Sequence, residues 1–137
     1  MTNTASVRWH PQPDEASLNA FIAQQIAALA TQCIVQKKAF HIVLAGGNTP
    51  KNIYRLLCDI KTDWSCWHIY FGDERCVPMD STERNDNMAS EAWLSHVAIP
   101  KAQIHRMRVG ELSASDAAAQ YTKTLHEVGT FDLVLLG

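Results

Sequence analysis

Four residues that can bind a ligand or carry charge follow a short apolar run in the middle of the chain. The run is Trp67–Phe71, and after Gly72 come Asp73, Glu74, Arg75 and Cys76. A guanidinium can hold a phosphate or carboxylate through two parallel hydrogen bonds, and a carboxylate can accept hydrogen bonds from hydroxyl groups. Arg75 and Asp73 are therefore candidates for contacting a polar, charged ligand. The alternative is a local ion pair between Arg75 and Asp73 or Glu74 on a solvated loop.

A second loop of similar design lies earlier in the chain. The apolar stretch His41–Ala45 runs into the loop residues Gly46–Pro50 and then into a helical pattern. Glycine permits close approach of a ligand to the backbone, Thr49 is predicted to cap the following helix, and Pro50 suits its first turn. Such a helix points free N–H groups and the positive end of its dipole into the loop, an arrangement that suits phosphate. The alternative is an ordinary strand-to-helix turn that binds nothing.

Both loops leave apolar runs, and such runs alternate with amphipathic helical patterns along the chain. This alternation predicts an α/β fold with a doubly wound, mostly parallel sheet and helices on both faces. Parallel strands present their carboxyl ends at the same sheet edge, so the two loops should face one cleft. The runs predicted as central strands are His41–Ala45, Trp67–Phe71 and Phe131–Leu136.

The other segments are predicted to support this sheet. Val7–Trp9 is expected to be a short edge strand, and Gln103–Met107 a modest third strand. Asp14 should cap a long helix, and Asn85 should cap another that runs through His96. A last helix is predicted between a capping Ser113 and a terminating Gly129.

Composition gives no support to several classes of function. The 137 residues carry 12 basic and 14 acidic side chains, a balance that does not indicate nucleic-acid or membrane-surface binding. No uninterrupted apolar stretch is long enough to span a bilayer. The four cysteines are scattered without metal-ligand spacing, and no secretory signal precedes them, which together favour a reduced, cytoplasmic location.

None of the six histidines stands at a strand-to-loop exit, so each is expected to be a surface or packed residue.

Several motifs in this order resemble a known family. They are AGGNTP at residues 45–50, FGDERCVP at 71–78, Asn85, Met88, and FDLVLLG at 131–137. Together they are similar to the 6-phosphogluconolactonases of the glucosamine-6-phosphate isomerase/6-phosphogluconolactonase family. The resemblance implies a Rossmann-like domain that hydrolyses 6-phosphogluconolactone to 6-phosphogluconate in the oxidative pentose phosphate pathway. It implies a small phosphorylated sugar lactone as the substrate, with no metal and no organic cofactor, and we expect a monomer.

The resemblance also assigns binding residues by position. The implied substrate-binding residues are Gly46, Gly47, Asn48, Thr49, Asp73, Arg75 and Asn85. Three positions depart from the family pattern, because Ala45, Asn48 and Arg84 stand where serine is common. It is therefore open whether this chain makes the family's hydroxyl contacts. The backbone anion site does not depend on these side chains.

The family's catalytic base is not among these residues. In the family, the strand that resembles FDLVLLG leads into a loop Gly-x-Gly-x-Asp-Gly-His-Thr-Ala-Ser, whose histidine is thought to activate water. Gly137 would be the first glycine of that loop. We therefore expect residues 1–137 to form a single α/β domain that is incomplete at its C-terminus and contains no catalytic residue.

Two other functions remain open at this stage. Glucosamine-6-phosphate deaminases resemble the first loop, but they usually carry Met-Asp-Glu-Tyr where this chain has Gly-Asp-Glu-Arg at 72–75. A sugar-phosphate-binding module without chemistry would also fit a chain that lacks the base. The second loop favours the lactonase over the deaminase.

Overall fold

A computed structural model describes residues 5–137 as an α/β fold around a small parallel sheet. The helices are α1 (Glu15–Lys37), α2 (Asn48–Leu57), α3 (Asn85–Ala92) and α4 (Ala114–Val128), and the strands are β1 (Phe40–Leu44), β2 (Trp67–Phe71) and β3 (Leu133–Val134). Three short 3-10 helices cover Trp64–Cys66, Leu94–His96 and Lys101–Gln103. The strand order is β2–β1–β3, and both pairings are parallel. The predicted fold class is confirmed.

The sheet is best formed between β1 and β2. These strands pair over their whole length, from Phe40 opposite Trp67 to Leu44 opposite Phe71. β3 pairs with β1 through two residues only, so it is shorter than the predicted Phe131–Leu136 and lies at the edge of the described sheet, not at its centre. The predicted third strand Gln103–Met107 is reduced to one bridge between Ile104 and Ile69. Long-range pairing decides strand length here, because apolar sequence alone does not supply a partner.

The main core lies on one face of this sheet. Alternation along a strand sends every second side chain to the same face. The strand residues buried here are Phe40, Ile42, Leu44, Trp67, Ile69 and Phe71. Helices α1, α2 and α3 pack against them. The opposite face carries His41, Val43, His68 and Tyr70, and α4 flanks it.

Helix α1 begins as predicted. The Asp14 carboxylate accepts a hydrogen bond of 2.7 Å from the Ser17 N–H, and so satisfies one of the free donors of the first turn. Among the described residues, α1 is the helix that is long and apolar enough, by length and composition only, to cross a membrane. In this structure it packs against α2 and β1, with Ile26 and Ala30 buried.

Four predicted boundaries are wrong. Val7–Trp9 forms no strand, and both end residues are largely exposed because no neighbouring strand pairs with them. Helix α2 begins at Asn48 with Gly47 at the capping position, so Thr49 lies inside the first turn and cannot cap it. Asn85 is likewise the first residue of α3, not its cap. That helix ends at Ala92, because fully buried Trp93 leaves helical geometry before the 3-10 turn that contains His96.

Helix α4 follows the prediction at both ends. The Ser113 hydroxyl accepts a hydrogen bond of 3.1 Å from the Asp116 N–H. Gly129 ends the helix with a φ of 82°, a conformation that favours glycine. Tyr121, on the buried side of α4, reaches the end of β2.

Candidate functional site

The two candidate loops leave the same edge of the sheet. β1 ends at Leu44 and β2 at Phe71, which are direct neighbours in the parallel register. Beyond that pair, the Gly72 N–H donates a 3.0 Å hydrogen bond to the Leu44 carbonyl. The loops at 45–49 and 72–75 therefore begin side by side, as the sequence predicts.

Gly46, Asp73 and Asn85 form the closest contact between the loops. The Asn85 side chain donates from Nδ2 to the Asp73 carbonyl at 3.2 Å and to Asp73 Oδ1 at 3.1 Å. Gly46 lies directly against the same carboxamide, since a Cβ at this position would be 2.2 Å from Asn85 Oδ1. Glycine is required here by this close approach. The structure thus joins three of the predicted binding residues, which come from three separate segments of the chain.

The first loop presents the open end of α2. Gly47 adopts φ 106°, ψ 174°, and no side chain caps the helix behind it. Asn48 and Thr49 are exposed in its first turn. The first N–H groups of a helix have no partner within it, and the helix dipole places positive charge there. This end of α2 has the geometry of an anion site.

The charged residues of the second loop have divergent roles. Arg75 is exposed, and its side chain forms no ion pair with Asp73 or Glu74 in the described structure, so the alternative of a local pair is wrong. Glu74 instead turns inward, with a side chain only 1% exposed. Its two carboxylate oxygens accept from the Asn85 N–H at 2.7 Å and the Asp86 N–H at 3.0 Å. Glu74 is the true cap of α3, and it is structural.

Arg84 is a buried residue next to Asn85 whose structural role the sequence did not predict. Its guanidinium is fully buried and makes a bidentate pair with Asp86, through Nε to Oδ1 at 3.0 Å and Nη2 to Oδ2 at 2.8 Å. It also donates to the carbonyls of Val109 and Met107, both at 2.6 Å. Arg84 therefore ties the start of α3 to the segment before α4. The spacing Arg-x-Asp at the start of a helix was a signal that could have found it.

Asp86 is held ionised by two arginines. Burial raises the pKa of this carboxyl, but hydrogen bonds and charge from Arg84 and Arg106 outweigh that effect and lower the pKa below its usual value. Arg106 reaches Asp86 Oδ2 at 2.8 Å from a side chain that is 40% exposed. The base of α3 is thus a fixed ionic cluster beneath Asn85.

The histidines lie away from this edge. His41 and His68 stack at 4.5 Å, and His105 stacks on Tyr70 at 4.6 Å, on the face of the sheet that α4 flanks. Burial lowers the pKa of all three, so each is neutral at physiological pH. In residues 5–137 no histidine side chain forms a hydrogen bond or ion pair with Gly46, Asp73 or Asn85. No group of three or more potential metal ligands occurs in that range either.

Two sizeable surface clefts lie elsewhere. One of about 630 Å³ is bounded by α3 and the segment near Ile104, and one of about 510 Å³ lies between α2 and α3 near Lys51 and His96. Neither is lined by Gly46, Asp73 or Asn85. The candidate site is an open sheet edge, and its chemistry comes from backbone amides and polar side chains.

A parallel α/β sheet whose carboxyl edge carries an open helix N-terminus and a polar loop places the chain in the class of open α/β domains, in which ligands bind outside the carboxyl ends of the strands. Comparison with known families gives a more specific assignment. The chain belongs to the family of glucosamine-6-phosphate isomerases/6-phosphogluconolactonase, whose family model matches residues 13–137. The resemblance stated from the sequence motifs is confirmed.

Individual relatives agree with this assignment. The chain is 35% identical to the 6-phosphogluconolactonase of Nostoc sp. over 133 residues, covering 91% of this chain and 55% of the relative. It is 38% identical to that of Synechocystis sp. over 115 residues, covering 78% of this chain and 48% of the relative. The crystal structure of 6-phosphogluconolactonase from Thermotoga maritima superposes with a TM-score of 0.80 at 29% identity, covering 85% of this chain and 53% of that chain. The fold is Rossmann-like, as expected, and the chain spans about half the length of the curated relatives it matches.

Proposed function

We propose that this chain forms the substrate-binding part of a 6-phosphogluconolactonase, which hydrolyses 6-phosphogluconolactone to 6-phosphogluconate in the oxidative pentose phosphate pathway. The observation that carries the proposal is the junction of Gly46, Asp73 and Asn85 beside the open end of α2. Relatives that bear the lactonase name support the choice of reaction.

The binding roles follow from the geometry. The amides after Gly47, at Asn48 and Thr49, would bind the anionic end of the ligand. Arg75, exposed at the neighbouring loop, would add a charge-assisted hydrogen bond to that end. The Asp73 carboxylate would accept hydrogen bonds from sugar hydroxyls while Asn85 holds its position.

The reaction needs a water made nucleophilic and an acceptor for its proton. Water adds to the lactone carbonyl, the ring C–O bond breaks, and the ring oxygen leaves as a hydroxyl while a carboxylate forms. General-base assistance typically contributes about 10²–10⁴-fold. No described histidine reaches the site, so in this proposal the base is the histidine of the family's glycine-rich loop, which residues 1–137 do not contain. This chain binds and orients the substrate as one α/β unit, most simply as a cytoplasmic monomer, without metal, cofactor, nucleic acid or membrane.

Calorimetric titration with 6-phosphogluconate tests the binding half of the proposal. Arg75→Ala should weaken binding by about 1.5–3 kcal/mol, the range for a hydrogen bond to a charged group. Arg55→Ala is the matched control, because Arg55 is also exposed but lies in the last turn of α2, away from the loops. Equal affinity of the Arg75 variant and wild type would contradict the assignment.

Hydrolysis tests the catalytic half. Because the lactone also opens spontaneously, rates must be compared with a blank without protein. We expect residues 1–137 to bind 6-phosphogluconate yet accelerate hydrolysis little. A rate well above the blank would place the base within this chain, with Asp73 as the first residue to replace. Release of ammonia from glucosamine 6-phosphate would instead favour the deaminase.

A further inference from the structure

The end of β1 is held by a buried tyrosine. Tyr54, on α2, is fully buried. Its hydroxyl donates to the Ala45 carbonyl at 2.7 Å and accepts from the Ala45 N–H at 3.0 Å. Ala45 follows the last residue of β1 and directly precedes Gly46, so one side chain holds both backbone polar groups of the residue that leads into the first loop.

The end of β2 is held in a similar way. Tyr121, on α4, accepts from the Phe71 N–H at 2.8 Å and donates to the His105 carbonyl at 2.8 Å. Phe71 is the last residue of β2 and directly precedes Gly72. Burial raises the pKa of both tyrosines, so each hydroxyl remains a donor at neutral pH.

These two contacts are joined through the sheet. The Gly72 N–H donates to the Leu44 carbonyl at 3.0 Å, between the residues that Tyr54 and Tyr121 hold. A continuous set of hydrogen bonds therefore runs from α2, across both strand ends, to α4. Gly46 and Asp73, which meet at the Asn85 carboxamide, each lie within two residues of it.

We propose that Tyr54 and Tyr121 are positioning residues, whose hydroxyls set the relative position of the two loops and thereby the affinity of the sugar-phosphate site. The inference rests on the proposed function for the identity of the ligand. Neither tyrosine lies within the loops, and neither was singled out by the sequence. Both act through backbone groups and not through contact with the ligand.

Tyrosine-to-phenylalanine variants isolate the hydroxyls, because the ring and its packing are kept. Tyr54→Phe and Tyr121→Phe should each raise the Kd for 6-phosphogluconate about five- to tenfold, as expected when a hydrogen bond of ~1 kcal/mol no longer holds the binding geometry. Tyr70→Phe is the matched control, since Tyr70 is buried on β2 but its hydroxyl makes no hydrogen bond with described residues. Ile53→Val controls for lost stability, because it trims a buried α2 side chain next to Tyr54 without removing a polar group.

Glycine signals supply a readout that does not need the ligand. The chain has six glycines, so labelling with ¹⁵N-glycine gives a simple amide spectrum. In the Tyr54 and Tyr121 variants we expect shifted or broadened signals for Gly46 and Gly72 but an unchanged signal for Gly129, which lies beyond α4 with no atom near its Cβ position.

The outcomes separate the two proposals. A wild-type chain that binds no 6-phosphogluconate refutes the proposed function, and the inference about the ligand site falls with it. If wild type binds, but both phenylalanine variants bind equally well or only as weakly as Ile53→Val, the positioning role is refuted while the function stands. Unchanged Gly46 and Gly72 signals would refute it as well.

Discussion

Gly46→Ala is the sharpest test of how the two loops meet. The added Cβ would lie 2.2 Å from Asn85 Oδ1 and 2.7 Å from its Cγ, distances that no real Cβ tolerates. Asn85 is buried within the start of α3, so its carboxamide must rotate away. That movement breaks both hydrogen bonds to Asp73.

The size of the effect follows from these contacts. Each lost hydrogen bond costs about 0.5–1.5 kcal/mol, or ~1–3 kcal/mol for the two. A Gly-to-Ala change at an unstrained site regains ~0.4–1 kcal/mol by restricting the unfolded chain. We therefore expect a net loss of about 1–2 kcal/mol in the free energy of unfolding. Gly72→Ala is the matched control and should cause no loss, since its Cβ would meet only Leu44 O at 3.6 Å and Val43 Cγ1 at 3.7 Å.

A double-mutant cycle makes the assay decisive. Urea denaturation is followed for wild type, Gly46→Ala, Asn85→Ala and the double variant. Removing the carboxamide makes room for the new methyl group, so Gly46→Ala should cost almost nothing in the Asn85→Ala background, a coupling of about 1–2 kcal/mol. Equal cost of Gly46→Ala in both backgrounds would refute the steric explanation, and so would an equally damaging Gly72→Ala.

Three other outcomes are expected. Arg84→Met should lower the free energy of unfolding by about 3–5 kcal/mol in urea titrations, because it strips a buried ion pair from Asp86. Arg106→Met removes a half-exposed partner of the same carboxylate and should cost ~1 kcal/mol or less; equal losses would contradict the difference in burial. Burial lowers the pKa of His68 and His105 below the usual 6.5, so below that pH the unfolded chain binds more protons than the folded chain. The contribution of the two neutral histidines to the free energy of unfolding should therefore be fully present above pH 6.5 and be lost as the solution is acidified. The urea midpoint should therefore drop between pH 7.5 and 5.5, and His68→Gln should reduce that drop; an unchanged slope would exclude His68 as a contributor.

Local pattern was sufficient to predict the strands that carry the loops. The β2 boundaries Trp67–Phe71 agree with the apolar run, and β1 is shifted by a single residue from His41–Ala45. Fully buried parallel strands are apolar on both faces, so an uninterrupted run marks them well. The Asp14 and Ser113 caps could also be predicted from local pattern, since each side chain bonds to an amide three residues away.

Contacts between polar groups that are distant in sequence could not be predicted from local pattern. Glu74 was considered as a possible ion-pair partner of Arg75 on a solvated loop, yet it caps α3 through amides 11 and 12 residues further along the chain. Arg84 looked like a departure at a rim position, yet it is the buried partner of Asp86. Whether a charged side chain points to solvent or inward depends on the backbone groups that the fold brings to it.

The sequence by itself determined the alternation of strands and helices, the glycines at both strand exits and the family motifs, because these depend on neighbours within a few positions. Only the tertiary structure decided that Gly46 abuts Asn85 and that Tyr121 holds Phe71, 50 residues away. Hydrophobic periodicity records which face of an element is buried, but it carries no record of which polar group a buried side chain will meet. That choice is made by the packing of the whole chain.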